Sequence, residues 1–278
     1  MALTRSDPYA VMTQRGREMW ALGDFARAAA EQVLVGEVLC RAIDIHPGER
    51  VLDVAAGSGN AALAAARRGA RVTATDFVPQ LLAAAARRAK AEGLDLETQE
   101  ADAQSLPFAD GAFDVILSTF GVMYAADQSR AAAELLRVCR PGGRIGLTAW
   151  TPGSVMAATQ AAAARFAPYP ALPGARSPNE WGTETRVREL LGAGISHLSA
   201  QVLTADLCAT SPAERVEFNR SYVGPTKAIF DRLDAVAQQT LADELASCLQ
   251  QYNRAADGTL IASAEYLQVT ATRLSPPR

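Results

Sequence analysis

The chain has 278 residues, 49% of them hydrophobic and 21% charged, with a formal net charge of −3 at pH 7, which suits one large α/β domain with an embellishment or two small domains. The mild acidity argues against a nucleic-acid surface, and no apolar run approaches the ~18 residues of a membrane span. Arg5, Asp7 and Pro8 near the start do not make a secretory signal, so a cytoplasmic protein is expected.

Residues 1–15 lack clear periodicity. From Gln14 to Ile45 the pattern is helical, interrupted at Gly23-Asp24, where two helices are expected to meet with Asp24 as an N-cap. After the turn His46-Pro47-Gly48-Glu49, residues 50–54 read as a short buried strand. It runs into the bare turn Ala55-Ala56-Gly57-Ser58-Gly59 and then a helix over 61–68, closed by Gly69. Further strands are predicted over 71–76, 96–100, 113–118 and 144–150, alternating with helices over 79–92, opened by Pro79, and 128–137. That alternation predicts a doubly wound, mostly parallel α/β sheet covered on both faces.

Past residue 150 the pattern is less regular. Helices are predicted over 155–166, 179–191, 212–222 and 227–253, the last two broken by Gly224-Pro225. A strand is expected over 196–207, and one over 259–273 is expected to return to the sheet as an antiparallel C-terminal strand. The organisation expected is an N-terminal helical lid over 1–45, a ligand-binding core over 46–150, and, over 151–278, the rest of the sheet with a helical cap inserted at about 211–253. Cys40, Cys139, Cys208 and Cys248 form no Cys-x-x-Cys pair, and His46 and His197 stand apart from other ligand types. No metal site is expected, and the cysteines read as small buried hydrophobes.

Ligands of an open parallel sheet bind beyond the carboxyl ends of its strands. Asp53, the glycine turn, Asp76, Asp102 and Ser118 occupy those ends. Gly57 and Gly59 can take positive φ and let a ligand approach the main chain, beside helix N–H groups that lack intrahelical partners. Asp76 can accept from two ribose hydroxyls, or alternatively cap the next helix. Such an acidic crevice disfavours phosphate and suits a nucleoside carrying positive charge, a description that S-adenosylmethionine meets.

The segments Val51-Leu52-Asp53-Val54-Ala55-Ala56-Gly57-Ser58-Gly59, Asp76, Asp102-Ala103-Gln104-Ser105-Leu106-Pro107-Phe108, Phe113-Asp114-Val115-Ile116 and Leu135 to Gly143 together resemble the motifs of class I S-adenosylmethionine-dependent methyltransferases. They are similar in flavour to the small-molecule enzymes of quinone biosynthesis. The resemblance covers residues 50–150 and implies a Rossmann-like fold. One departure is Ala55, where the family commonly has Gly; Ala is tolerated there unless the position needs positive φ.

By this resemblance Asp53 and the turn residues Ala55, Gly57, Ser58 and Gly59 hold the amino-acid part of the cofactor. Asp76 takes the ribose, Asp102 the adenine amino group beside Ala103, and the Ser118 backbone faces the methionine ammonium. Phe77 packs on the adenine or simply in the core, and Asp114 braces the sheet. Trp20 on a lid helix, with Tyr9 and Tyr124, either walls the methyl group or packs in the core. Arg220 and Tyr222 are the candidate catalytic pair, able to bind an anionic or phenolic acceptor, with a solvated turn as the alternative. His197, inside a predicted strand, reads as structural.

The resemblance implies in-line methyl transfer to a small organic acceptor, natural-product or quinone-like, which depends on positioning and needs a base only for a protonated nucleophile. Two other readings stand beside it. Gly57-x-Gly59-x-x-Ala62 also satisfies a dinucleotide fingerprint, so an NAD(P)-dependent oxidoreductase competes, although that fold requires neither Asp53, Asp102 nor Pro141-Gly142-Gly143. A cofactor-binding interaction protein without catalysis is the other. A homodimer is compatible with these features.

Overall fold

The computed structural model describes residues 8–167 and 174–275. Its strands are β1 (Arg50–Val54), β2 (Arg71–Asp76), β3 (Glu97–Glu100), β4 (Phe113–Thr119), β5 (Cys139–Trp150), β6 (Ile195–Ala209) and β7 (Leu260–Arg273). They form one sheet in the order β3-β2-β1-β4-β5-β7-β6. The first five run parallel, and β7 lies antiparallel between β5 and β6. The central strands are apolar on both faces because helices cover both: Val51, Leu52, Val115, Ile116 and Leu117 have no exposed surface.

Before the sheet come α1 (Pro8–Trp20), α2 (Phe25–Ala29) and α3 (Val33–Ala42), and between its strands α4 (Asn60–Arg67), α5 (Pro79–Glu92) and α6 (Gln128–Val138). After β5 follow α7 (Val155–Ala164) and α8 (Glu184–Leu191). The segment joining β6 to β7 is the cap, made of α9 (Pro212–Tyr222), α10 (Gly224–Phe230) and α11 (Ala235–Gln251). One face of the sheet packs on α3 and α4 through Leu39, Ile43, Val51, Val115 and Leu117. The other packs on α6, α8 and the cap through Leu52, Ile116, Leu135, Val187 and Leu245. Alternation along β1 therefore sends adjacent residues into different cores.

Several sequence expectations are corrected. Residues 8–15, read as aperiodic, begin α1, none of whose residues is buried, so it carries no apolar stripe to detect. Asp24 stands at the N-cap position of α2 but makes no side-chain capping bond. β5 starts at Cys139, because that residue pairs with Phe113 across a bulge. The expected helix over 179–191 is a 3-10 turn, Pro178–Gly182, followed by α8, whose cap Thr183 accepts from the Arg186 N–H. The break expected after Tyr222 is present, with Gly224-Pro225 forming the first turn of α10, but the helix expected over 227–253 is divided in two, α10 ending at Phe230 and α11 starting after its cap Asp234. Cys40 and Cys139 are buried, but Cys208 is exposed, and all four cysteines are free. Among the described residues no helix is long and apolar enough to cross a membrane, and no His, Cys, Asp and Glu cluster is arranged for a metal ion.

The contact that positions the site is between α3 and α4. The buried face of α4 is mainly alanine, and α3 meets it through Gly36, where an added Cβ would lie 2.9 Å from the backbone C and O of Asn60. Backbone cannot swing aside as a side chain can. Gly36→Ala is expected to destabilise the protein by about 1–3 kcal/mol, as overpacking does, read as a lowered urea midpoint with unchanged m-value. An unchanged midpoint would show that α3 does not press on the start of α4.

Candidate active site

Three residues in the turn after β1 have positive φ: Ala55 at 53°, Gly57 at 55° and Gly59 at 84°. The turn is tied down from every side. The buried Asp76 carboxylate accepts from the Gly57 N–H at 2.9 Å through Oδ2 and from the Val78 N–H at 2.9 Å through Oδ1. Arg88 on α5 donates through Nη1 to the Ser58 carbonyl at 2.7 Å and to Asn60 Oδ1 at 2.8 Å. Asn60 Nδ2 in turn donates to the Ala29 carbonyl at 2.7 Å, joining the turn to α2. A Cβ at Gly57 would meet no protein atom within 4 Å, so its bare face opens on a cleft.

That cleft is walled by the turn, Asp76, Phe77, Asp102 and Ala103, and covered by Met12, Thr13, Gly16 and Trp20 of α1. Arg17 of α1 forms an ion pair with Glu100 at the end of β3. Gln104 ties cover to wall: its Nε2 donates to Thr13 Oγ1 at 2.9 Å and to both Asp102 oxygens at 3.0 Å, and its Oε1 accepts from the Asp127 N–H at 2.7 Å.

Of the candidates from the sequence, the cleft brings together Trp20, Ala55, Gly57, Ser58, Asp76, Phe77, Asp102 and Ala103. Others lie elsewhere. Asp53 is fully buried and turns to α4, accepting from the Ala62 N–H at 2.8 Å, because the first turn of that helix carries unpaired N–H groups. Gly59 faces α5, where a Cβ would sit 2.9 Å from the Ala85 Cβ, so it serves helix packing. The buried Ser118 hydroxyl donates to the Val54 carbonyl at 2.7 Å and accepts from the Val122 N–H, and the cleft wall is formed by the next three residues, Thr119, Phe120 and Gly121. Arg220 bonds Gln238 and Glu217, and Tyr222 Oη accepts from Arg27; neither side chain lines the cleft or the cavity beside it. Tyr9 also lies outside both cavities, and His197 is exposed on β6. Asp114 braces the sheet. Burial acts to raise its carboxyl, but hydrogen bonds from the Arg50 N–H and the Arg140 and Arg50 side chains outweigh that and lower it to about 2.

The adjoining cavity, of about 700 Å³, shares Trp20, Phe25, Gln32, Phe120 and Tyr124 with the cleft. Trp20 contacts the rings of Phe25 and Tyr124 edge-on, each at 5.0 Å between centroids. Phe120 is stacked on Trp150 at 3.7 Å and held at φ 53°. The remaining walls come from α7, the Ser177–Glu180 turn, α9, α10 and α11. Nothing in the local sequence pattern marks this chamber, whose walls are far apart in the chain.

A family model described as a methyltransferase domain matches residues 52–147, the stretch that builds the turn and the strand ends. The chain belongs to the S-adenosylmethionine-dependent methyltransferases. The methyltransferase is 42% identical over 264 residues to an uncharacterised protein of Mycobacterium tuberculosis (strain H37Rv), covering 92% of this chain and 93% of that one. It is 44% identical over 117 residues to the demethylmenaquinone methyltransferase of Thermus thermophilus, covering 40% of this chain and 53% of that protein. A solved structure of geranyl diphosphate methyltransferase in complex with S-adenosylmethionine shares the fold, with a TM-score of 0.53 at 18% identity, over 87% of this chain and 85% of that one. The cleft's chemistry suits the family's cofactor: a bare backbone at Gly57, carboxylates at the ends of β2 and β3, and an aromatic ring at Phe77.

Ala55, the departure from the motif that the sequence shows, occupies a left-handed conformation, and a Cβ added at the neighbouring Gly121 would fall 2.3 Å from the Ala55 carbonyl oxygen and 2.7 Å from its Cβ. Ala55→Gly is expected to stabilise the methyltransferase by about 0.5–1 kcal/mol, the strain of a Cβ at positive φ exceeding the entropy glycine adds to the unfolded chain. Chemical denaturation checks this, and a loss of stability would contradict it.

Burial pushes the Asp53 carboxyl up to about 7, against the Ala62 N–H bond and with the Asp76 charge adding to it. Burial likewise pushes Asp76 up to about 6, against bonds from the Val78, Gly57 and Phe77 N–H groups. Both titrate higher when folded than unfolded. Each therefore adds stability that is complete below about pH 4 and lost as pH rises through about 6 to 7. Thermal melts of the ligand-free protein should show the contribution of these carboxyls falling between about pH 4 and 7 and levelling off above that, with Asp53→Asn flattening the fall. A flat wild-type profile would count against these carboxyls being raised.

Proposed function

We propose that this methyltransferase acts on a small, largely apolar organic molecule, natural-product or quinone-like in character, held in the chamber beside the cleft. The observation that carries the reading is the chamber itself: about 700 Å³, walled mainly by apolar side chains, and sharing its aromatic boundary with the candidate cofactor cleft. The similarity to demethylmenaquinone methyltransferase agrees with a quinone-like acceptor, although the chain spans only about half of that protein. Much of the chamber wall, from α7 and the cap, lies beyond the 52–147 family match, so acceptor choice is assigned to those elements.

In the cleft, Asp76 is assigned to the ribose hydroxyls, Phe77, Asp102 and Ala103 to the adenine, and the backbone at Ala55, Gly57 and Ser58 to the amino-acid end. Bound S-adenosylmethionine supplies a methyl group on a positively charged sulfur. Trp20, Phe25, Phe120 and Tyr124 are assigned to exclude water and to turn aromatic surface toward that charge. Burial pushes the Tyr124 hydroxyl up to about 12, so it remains protonated, and it accepts from Gln160 Nε2 at 3.0 Å. It is suited to orient the acceptor and unsuited to act as a base. Catalysis on this reading is mainly positioning.

Calorimetry is expected to detect binding of S-adenosylmethionine and of S-adenosylhomocysteine, and Asp76→Asn should weaken both by roughly tenfold or more, as loss of a charge-assisted hydrogen-bond acceptor does. Binding of NADH with no heat from either methionine ligand would overturn the cofactor assignment. Transfer of a labelled methyl group to members of a panel of small aromatic acceptors would support the acceptor reading, and transfer only to protein or nucleic acid would defeat it.

A further inference from the structure

Arg215 is an anomaly in the chamber wall. It sits on α9 among Val216, Val223, Ile229, Leu245 and Leu249, with only 5% of its surface exposed. A guanidinium buried in apolar surroundings loses its hydration and is costly to keep there unless its donors are satisfied. Here they are satisfied only in part. Nη1 donates to both oxygens of Glu31, at 2.7 and 2.6 Å, and the guanidinium carbon lies 5.2 Å from the centre of the Phe218 ring. Nε has no hydrogen-bond partner.

A second unpaired group lies one helical turn away. Asn219 is four residues further along α9, on the same face, and also lines the chamber. Its Oδ1 is buried and without a partner. Glu180, the other charged side chain of the wall, is paired with Arg176 and Arg186, so on the α9 side a donor and an acceptor one turn apart are left unpaired in a mainly apolar wall. They form a polar site for something that both accepts and donates, or accepts from both side chains once the amide has turned over.

Charge decides what kind of group it is. Arg215 is already neutralised by Glu31, so the pair carries no net charge into the chamber. An ionised carboxylate would leave that apolar space with an unbalanced negative charge, whereas a hydroxyl or carbonyl oxygen would leave it neutral. Resting on the reading of the chamber as the acceptor site, we infer that Arg215 and Asn219 recognise a neutral oxygen function, phenolic hydroxyl or ring carbonyl, on the methyl acceptor. Glu31 is the residue that sets this preference, because it cancels the charge that would otherwise attract an anion.

The test uses three probes of one shape, 2-naphthol, 2-naphthoate and naphthalene, in equilibrium dialysis against the full-length protein saturated with S-adenosylhomocysteine. Wild type should bind 2-naphthol roughly tenfold tighter than either of the others, the usual effect of one satisfied buried hydrogen-bonding pair. Glu31→Gln keeps Arg215 in place but leaves its charge uncancelled, and should shift the preference to 2-naphthoate by roughly tenfold or more. The double variant Glu31→Gln with Arg215→Leu, which leaves no unpaired charge behind, should bind all three alike. Equal binding of the three probes to wild type, unmoved in either variant, would overturn the oxygen site while leaving the chamber intact. A wild-type preference for 2-naphthoate would overturn the charge argument, and failure of all three to bind would overturn the chamber reading and this inference with it.

Discussion

The Asp76 carboxylate is the constraint on which the site depends. One oxygen holds the turn after β1 and the other holds the start of α5, so a single buried group sets the distance between two strand ends. The turn needs that hold. Three left-handed residues within five are costly to keep in register, and one of them, Ala55, bears a Cβ. Arg88 and Asn60 extend the hold to α5 and to the carbonyl of Ala29, so the N-terminal helices are fastened to the turn they cover.

Strain accumulates on both sides of the boundary between the two cavities. Ala55 and Phe120 share the same unusual φ, and Gly121 lies against Ala55. Phe120 is kept there by its stack on Trp150, by an edge contact with Tyr266 and by its N–H, which donates to the Thr148 carbonyl at 3.0 Å. The parts that would flank a transferring methyl group are therefore fixed by β1, β5 and β7, which are sheet elements and not loops. Rigid support of this kind suits a reaction in which alignment matters more than proton transfer.

The doubly wound half of the molecule, and the first helix of the cap, could be read from their punctuation. Arg50–Val54, Arg71–Asp76, Pro79–Glu92 and Pro212–Tyr222 have the bounds expected, because proline or a turn opens each and a glycine or strand-end carboxylate closes most of them. Position along the chain was readable; direction was not. Asp53 and Ser118 do stand at strand ends, but one side chain turns toward the helix behind and the other bonds the neighbouring strand, a choice made by tertiary contacts. Arg220 and Tyr222 are polar groups near a helix break, yet α9 presents Arg215 and Asn219 to the chamber instead. No local pattern distinguishes those faces, because the wall is completed by α7 and α11, far away in sequence.

Among the described strands, the last in sequence, β7, is not at the sheet's edge. β7 lies between β5 and β6, so β6 waits without a partner until the entire cap and then residues 260–273 have been made. During synthesis from the N-terminus, β1 to β5 can pair as they emerge, whereas the half containing the chamber must delay. A long strand held open in that interval is exposed to misplaced pairing. The strands that carry the cleft can therefore pair first, and the chamber closes only once β7 is inserted between β5 and β6.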